Sequence, residues 1–282
     1  MKKSTKRTIL CAGLAALMSV SLCGCDRNTT PSVSMPEQTA TEEQAREKYT
    51  SLSQLQGKAI GIQSGTSMDQ TVISKISDVE FKSYDTYPAL VDAMKKGRVE
   101  AFPGDEPVIL QLMANDSELS MINEFIDTFE FGYAFKKDEK GQALCDEFSE
   151  YIKSIESSGE LKEVKDKWTG ADESLKTVED YTALPATNGT LRMVTEGAYE
   201  PFNYFKDGKI VGYDIDVAVR FCKAKGYGLE VEMMEFDQII DAVAAGEYDF
   251  AGAGITITPE REEKVYFSEP NYSGGVVMCV LK

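Results

Sequence analysis

The sequence contains no histidine among its 282 residues. Ser-His-Asp and Cys-His catalysis, imidazole metal ligation and histidine acid–base chemistry are therefore excluded. An enzyme built on this chain would have to use carboxylate, Lys, Tyr or Cys side chains. Basic residues are also few, because 30 Lys and Arg stand against 47 Asp and Glu, for a net charge of −17. Nucleic acid is thus not expected as a partner of the folded part.

The N-terminus has the pattern of an export signal. A basic start is followed by an apolar run at 9–20 that is too short to span a bilayer comfortably. This pattern predicts a signal peptide at 1–24. The run ends in Leu22-Cys23-Gly24-Cys25, which resembles the lipobox of bacterial lipoproteins. The resemblance implies acylation of Cys25 with chains such as palmitate; an ordinary signal peptide with stray cysteines is the alternative.

Residues 25–50 are polar and contain proline, which is typical of a tether. With an acylated Cys25 this stretch would be a lipid-anchored linker. The protein would then be held on the outer face of the cytoplasmic membrane.

Three cysteines remain in the rest of the chain, at positions 145, 222 and 279. Their number is odd, they are far apart, and no CxxC pair occurs among them. We expect free thiols rather than disulfides. Cys222 and Cys279 lie in apolar stretches, which favours packing in the core.

From about residue 51 onward, short apolar runs alternate with stretches of helical periodicity. This alternation predicts an α/β fold with a largely parallel sheet. A polar linker at 169–189 separates two such series. We expect a small lobe at 51–134 and a large lobe at 135–282 that includes the linker.

Polar side chains cluster where predicted strands end, at 63–67, 103–107, 196–202 and 253–261. Ligands of α/β folds bind at such ends. Each cluster also has a purely structural interpretation. Asp105 could be a helix N-cap, Thr258 and Pro259 could simply begin a helix, and Arg261 could be solvated on it.

Taken together, these clusters resemble the polar amino-acid-binding proteins of bacterial ABC importers, that is, extracellular solute-binding proteins of family 3. The matching motifs are EGAYEPF at 196–202, GYDID at 212–216, FDQII at 236–240, ITITPER at 255–261, FSEPNY at 267–272, LQGKAIGIQSGT at 55–66, GRVEA at 97–101 and GELKEVKDKW at 159–168. The resemblance covers about residues 51–282 and implies a two-lobed, type II periplasmic-binding-protein-like fold.

The order of the two halves is exchanged relative to that family, whose chains begin with the part that resembles 196–282. We interpret the chain as a circular permutant, with a truncated tandem or a domain-swapped dimer as alternatives. The permutant interpretation predicts that Lys282 and Tyr49 lie close together at the hinge, with one of the two crossings between the lobes interrupted there.

The resemblance also implies roles for individual residues. Arg261 would bind the α-carboxylate of an amino acid, helped by Thr256 and a backbone N–H near Ser67, while Asp105 and the carbonyl of Gly254 would take the ammonium. The side chain of the ligand would lie between Tyr199 and Phe236, and its far end would meet Glu196 and Gln63. Because a buried carboxylate needs a partner, Glu196 favours a polar, basic or cystine-like ligand.

The expected function is that of a non-catalytic receptor that delivers a polar amino acid to an ABC permease, without cofactor or metal. Two alternatives stay open. One is an amino-acid-sensing module, and the other is a cyclohexadienyl dehydratase-like lyase on the same fold, with Glu196 as its acid or base.

Overall fold

A computed structural model describes residues 48–282. The predicted signal peptide, Cys25 and nearly all of the predicted tether lie outside the described residues. Within residues 48–282, no helix is both long enough and apolar enough to cross a bilayer.

Two five-stranded sheets organise the described chain, and each is the centre of one lobe. The small lobe has the strand order β2-β1-β3-β13-β4, and β13 is antiparallel to both of its neighbours. In chain order, its strands are β1 (Ala59–Gln63), β2 (Glu80–Tyr84), β3 (Ala101–Asp105), β4 (Leu119–Phe131) and β13 (Tyr272–Leu281).

The sheet of the large lobe has the order β10-β6-β11-β5-β12, with β5 antiparallel to β11 and β12. Its strands are β5 (Ala134–Lys136), β6 (Thr190–Thr195), β10 (Gly228–Met233), β11 (Phe250–Ala251) and β12 (Val265–Phe267). A small third sheet next to it consists of β7 (Ala198–Tyr199), β8 (Asn203–Lys206) and β9 (Lys209–Val211).

Helices follow the parallel strands, as the alternating pattern predicts. The small lobe has α1 (Met68–Ile73), α2 (Tyr87–Lys95) and α3 (Glu106–Asn115), and the large lobe has α4 (Glu139–Ser158), α5 (Glu160–Thr169), α6 (Tyr213–Lys225), α7 (Phe236–Ala245) and α8 (Pro259–Glu262). The helix boundaries have local causes. Asp138 caps α4 by accepting a hydrogen bond from the Gly141 N–H, and Gly159 ends that helix in the left-handed conformation.

The two sheets have equivalent strand orders, because in each the fourth strand arrives from the other lobe and runs antiparallel. Over residues 48–282, the chain crosses between the lobes twice, from β4 to β5 and from β12 to β13. Both crossings are continuous, so the prediction of an interrupted crossing is wrong. The expected large-lobe boundary at 282 also needs correction, since β13 pairs with β3 and β4 of the small lobe.

The N-terminal end of the described chain and Lys282 both lie at the start of β3. The Tyr49 hydroxyl donates to Glu100 at 3.2 Å, and the Lys282 N–H donates to the Glu118 carbonyl at 2.9 Å. On β13, Val280 pairs with Ala101, the residue after Glu100. This edge is opposite to the end of β3 that carries Asp105, so the expected position at the hinge is wrong. After the crossing from the large lobe, β13 pairs with β3 and β4 along its length, so its end lies at the base of the small lobe.

The three cysteines of residues 48–282 lie inside the lobes. Cys145, Cys222 and Cys279 are free, as predicted, and all three are buried, which was expected for Cys222 and Cys279. Burial raises the pKa of the Cys145 thiol to about 11 and that of the other two thiols to about 12. They are therefore protonated and inert near neutral pH.

Candidate functional site

The nine residues predicted to bind ligand line a single cavity between the lobes. The cavity has about 340 Å³ of space between atoms, and the small lobe supplies part of its wall and the large lobe the rest. It is lined by Gln63, Thr66, Ser67, Met68, Tyr87, Asp105, Glu196, Tyr199, Phe236, Ala253, Gly254, Thr256 and Arg261. A larger groove of about 1190 Å³ beside α4 contains none of the predicted residues.

Arg261 reaches the cavity from α8. Its backbone N–H donates to the Thr258 hydroxyl at 3.3 Å, so Thr258 caps the helix as predicted. The guanidinium donates to the carbonyl of Thr256 at 2.8 Å and, across the cleft, to that of Gly65 at 3.0 Å, and its carbon lies 5.4 Å from the centre of the Phe236 ring. Burial lowers its pKa to about 10, so Arg261 is charged at neutral pH and is not a solvated helix residue.

Asp105 stands at the end of β3, in the N-cap position of α3, but its side chain does not cap the helix. Instead its Oδ2 accepts a hydrogen bond from the Tyr199 hydroxyl of the opposite lobe. Its Oδ1 is buried and has no hydrogen-bond partner among the described residues. Burial raises the pKa of Asp105 to about 7, although the Tyr199 hydrogen bond and the charge of Arg261 oppose the shift. A buried carboxylate oxygen without a partner suits a cationic group of a ligand.

Glu196 and Gln63 form a second contact between the lobes. Gln63 Nε2 donates to Glu196 Oε1 at 2.7 Å and also contacts the Asp85 carbonyl at 3.2 Å. Burial raises the pKa of Glu196 to about 7; the hydrogen bond from Gln63 opposes this shift and the charge of Glu235 adds to it. Glu196 therefore lies where a second cationic or donor group would be stabilised.

Tyr199 and Phe236 have separate neighbours. The Tyr199 ring stacks on Phe202 at 5.3 Å and packs against Tyr87 of the small lobe at 5.4 Å, whereas Phe236 faces the guanidinium of Arg261. Both rings line the cavity, and their predicted position on either side of a ligand side chain stays a prediction.

Gly254 lies deep in the large-lobe wall. Its N–H donates to Asp214 Oδ2 at 2.8 Å, and a Cβ at this position would lie 2.5 Å from the Tyr199 ring, with φ at +59°. Only glycine fits there. Thr256 contributes its carbonyl to Arg261 in this arrangement, and Ser67 lies exposed at the start of α1.

Sequence reasoning did not identify Thr66, Met68, Tyr87 or Ala253 as lining residues. Tyr87 is 2% exposed and begins α2 after β2, so its position at the end of a parallel strand was the available signal. Among residues 48–282, no cluster of three or more Cys, Asp or Glu side chains has the arrangement of a metal site.

Residues 191–282 match the family model of the bacterial extracellular solute-binding proteins, family 3. The match spans 92 of the 282 residues, about a third of the chain. It includes β6 to β13 and so supplies six of the nine predicted binding residues.

Two curated relatives and one solved structure illustrate the similarity. The arginine-binding extracellular protein ArtP of Bacillus subtilis is 39% identical over 85 residues, which are 30% of this chain and 33% of ArtP. The cyclohexadienyl dehydratase of Pseudomonas aeruginosa is 33% identical over 113 residues, 39% of this chain and 42% of that protein. A solved ancestral arginine-binding protein with bound arginine is 45% identical over 30% of this chain and 38% of that chain, with a TM-score of 0.29.

In these alignments, the chain spans less than half the length of the curated relatives that it matches. Binding proteins and an enzyme both occur among them. Similarity therefore does not identify the ligand, which has to be argued from the cleft.

Proposed function

We propose that the protein is an extracytoplasmic receptor that closes its two lobes around a polar amino acid and delivers it to an ABC importer. The observation that carries the proposal is the meeting of a charged Arg261 with the buried carboxyls of Asp105 and Glu196 in one cavity lined by both lobes. A free amino acid offers complementary groups, a carboxylate for the forked donor and an ammonium for the carboxylate.

The charges of the cavity favour a ligand with a cationic side chain. Asp105 and Glu196 contribute two negative charges when ionised, and Arg261 contributes one positive charge. The carboxylate and ammonium of a free amino acid cancel each other, so a neutral side chain would leave one buried negative charge uncompensated. A guanidinium or ammonium at the far end would pair with Glu196, and the relative ArtP is itself an arginine-binding protein.

The test is a calorimetric panel on the purified protein with L-arginine, L-lysine, L-glutamine, L-leucine and cystine. We expect the cationic amino acids to bind most tightly and L-leucine not to bind. Agmatine, which has the guanidinium of arginine but lacks the α-carboxylate, is the matched ligand control and should bind far more weakly. A protein that binds no amino acid of the panel would contradict the proposal.

A dehydratase is the second candidate, because a relative has that activity and because burial raises the pKa of Glu196 to about 7. Such a group could donate a proton near neutral pH. Incubation with arogenate or prephenate distinguishes the two functions. Product formation that Glu196→Gln abolishes would establish the enzyme; its absence, together with amino-acid binding, supports the receptor.

The proposal also includes the location of the protein in the cell. The names of relatives place them outside the cytoplasm, as extracellular or periplasmic proteins. We place this protein there too, anchored through an acylated Cys25. Metabolic labelling with a palmitate analogue should mark the protein, and Cys25→Ser should remove both the label and the membrane association. Uptake of labelled arginine that depends on a neighbouring permease would distinguish import from sensing.

A further inference from the structure

The linker between the two halves of the chain does not stay on one lobe. It leaves α5 after Thr169 and enters β6 at Thr190, and both of these elements belong to the large lobe. Between them, Lys176 Nζ donates to Oε1 of Gln111 at 3.3 Å. Gln111 lies on α3 of the small lobe. The linker therefore contacts the lobe to which neither of its ends is attached.

A compact turn holds this part of the linker in place. Asp172 Oδ1 accepts from the N–H of Ser174 at 3.0 Å and from its hydroxyl at 2.6 Å. The Leu175 N–H donates to the Asp172 carbonyl at 3.2 Å, and the Lys176 N–H donates to the Glu173 carbonyl at 3.3 Å. These local bonds fix the direction in which Lys176 leaves the backbone.

Lys176 is only 3% exposed, which is rare for a lysine. Its ammonium pairs with Glu173 Oε1 at 2.6 Å, and the other oxygen of Glu173 accepts from Lys206 Nζ at 3.2 Å. Lys206 ends β8, in the small sheet that also contains Tyr199. The turn is thus tied to the large lobe through Glu173 and to the small lobe through Lys176.

The contact between Lys176 and Gln111 involves α3, a helix that begins at the cleft. α3 begins directly after Asp105, and Asn115 at its other end lowers the pKa of Glu200, the neighbour of Tyr199, although burial raises that pKa on balance. Because the described lobes are joined by the two crossings, opening of the cleft moves α3 away from the large lobe. That movement has to break the bond between Lys176 and Gln111.

We propose that residues 172–177 form a clasp that holds the cleft closed from outside the ligand cavity and slows ligand release. The clasp acts on the equilibrium between open and closed lobes whether or not a ligand is bound. Only its effect on release rests on the proposed function.

The test compares Lys176→Glu with Lys223→Glu. The first variant removes the donor to Gln111, which is the contact between the turn and the small lobe, and places a carboxylate beside Glu173 and near Glu200. The second variant reverses the charge of Lys223, an exposed residue of α6 in the large lobe. Lys223 pairs with Glu179 of the same linker at 2.7 Å, and this pair lies within the large lobe. Small-angle X-ray scattering without added ligand should show a larger radius of gyration for Lys176→Glu and an unchanged one for Lys223→Glu.

Stopped-flow release of L-arginine gives the second readout. We expect dissociation from Lys176→Glu to be at least ten times faster than from the parent, with no change in Lys223→Glu. If arginine binds to neither parent nor variants, the proposed ligand is wrong, and the scattering comparison still decides the clasp. An unchanged radius of gyration in Lys176→Glu would overturn the clasp even if arginine binds.

Gln111→Ala covers the case in which Lys176→Glu fails to fold, as judged by circular dichroism. It removes the acceptor on α3 and leaves the linker intact. The expected changes have the same direction and a smaller size. Equal radii and equal release rates for this variant and the parent would overturn the proposal.

Discussion

Burial disfavours the positive charge of Arg261. Two backbone carbonyls and the Phe236 ring surround its guanidinium and stabilise that charge. Arg261→Ala should abolish amino-acid binding and leave the fold intact, because the contacts of the Arg261 guanidinium lie in the cleft. Loss of a forked charge pair in a closed site costs about 2–5 kcal/mol of binding free energy. Calorimetry with L-arginine measures this loss.

Lys264→Ala is the control for Arg261→Ala. Lys264 lies two residues after the end of α8, and its ammonium forms an exposed ion pair with Asp241 at 2.7 Å. Its removal should leave arginine affinity unchanged. Equal affinities of the parent and Arg261→Ala would show that the guanidinium has only a structural role.

Glu196 should make the stability of the protein depend on pH. Burial raises its pKa to about 7, whereas in the unfolded chain it titrates near 4.5. Between these values the folded protein binds more protons, so its free energy of unfolding falls as the pH rises from 4.5 to 7. The shift corresponds to about 3 kcal/mol. Glu196→Gln should therefore reduce the difference in unfolding free energy between pH 5 and pH 7.5, measured with urea.

The exposed Glu232 provides a comparison of opposite sign. Its hydrogen bond with Arg192 lowers its pKa, so the ionised form favours the folded state. Glu232→Gln should remove stability that is present above pH 4.5 and is lost in acid, and should leave the change between pH 5 and pH 7.5 as in the parent. If Glu196→Gln and the parent show the same pH dependence, the Glu196 carboxyl is not perturbed as the structure indicates.

At the scale of elements, the loop between β1 and α1 limits how far the cleft can close. Gly65 has φ of +76°, and a Cβ there would lie 2.5 Å from Cα of Asp237, at the start of α7 in the opposite lobe. Gly65→Ala should hold the lobes apart and weaken arginine binding at least tenfold, as measured by calorimetry. Because alanine with positive φ also costs about 1 kcal/mol in strain, stability has to be measured beside affinity.

Gly97→Ala is the control that separates the effect of backbone strain from the effect on closure of the cleft. Gly97 has a similar φ of +67°, but among the described residues no neighbouring atom lies within 4 Å of the point where a Cβ would stand. This variant should lose a similar amount of stability and keep its affinity for arginine. A parallel loss of affinity in both variants would contradict a specific role of Gly65 in closure.

Most elements of the fold could be predicted from the sequence, since the alternation of short apolar runs and helical periods is a local signal. The pairing of β13 with the small lobe was not foreseen, because pairing between distant segments leaves no local pattern. The same holds for Tyr87, which lines the cavity but lies outside the clusters that the sequence indicated. The clasp around Lys176 lies in a stretch whose polar composition indicated only a linker.

At the scale of the whole molecule, the two equivalent sheets and the positions of Tyr49 and Lys282 are compatible with the permutant interpretation. Tyr49 contacts Glu100, and β13 ends beside Ala101, so a short connection could join Lys282 to Tyr49 at the base of the small lobe. Termini that lie close together are the condition under which permutation is tolerated.

The prediction is that the chain can be reordered without loss of function. The reordered protein would run from 187 to 282, continue through about six Gly and Ser residues, and then run from 48 to 186. Its opening within the linker leaves the clasp and both lobe crossings intact, so every described contact of the cleft can form. It should be monomeric in light scattering, unfold at a denaturant concentration close to that of the parent and bind L-arginine with similar affinity. The control opens the chain between β10 and α7, which separates elements that pack within one lobe, and should be clearly less stable. A reordered chain that folds only as a dimer would favour domain swapping, and one that does not fold would contradict the permutant interpretation.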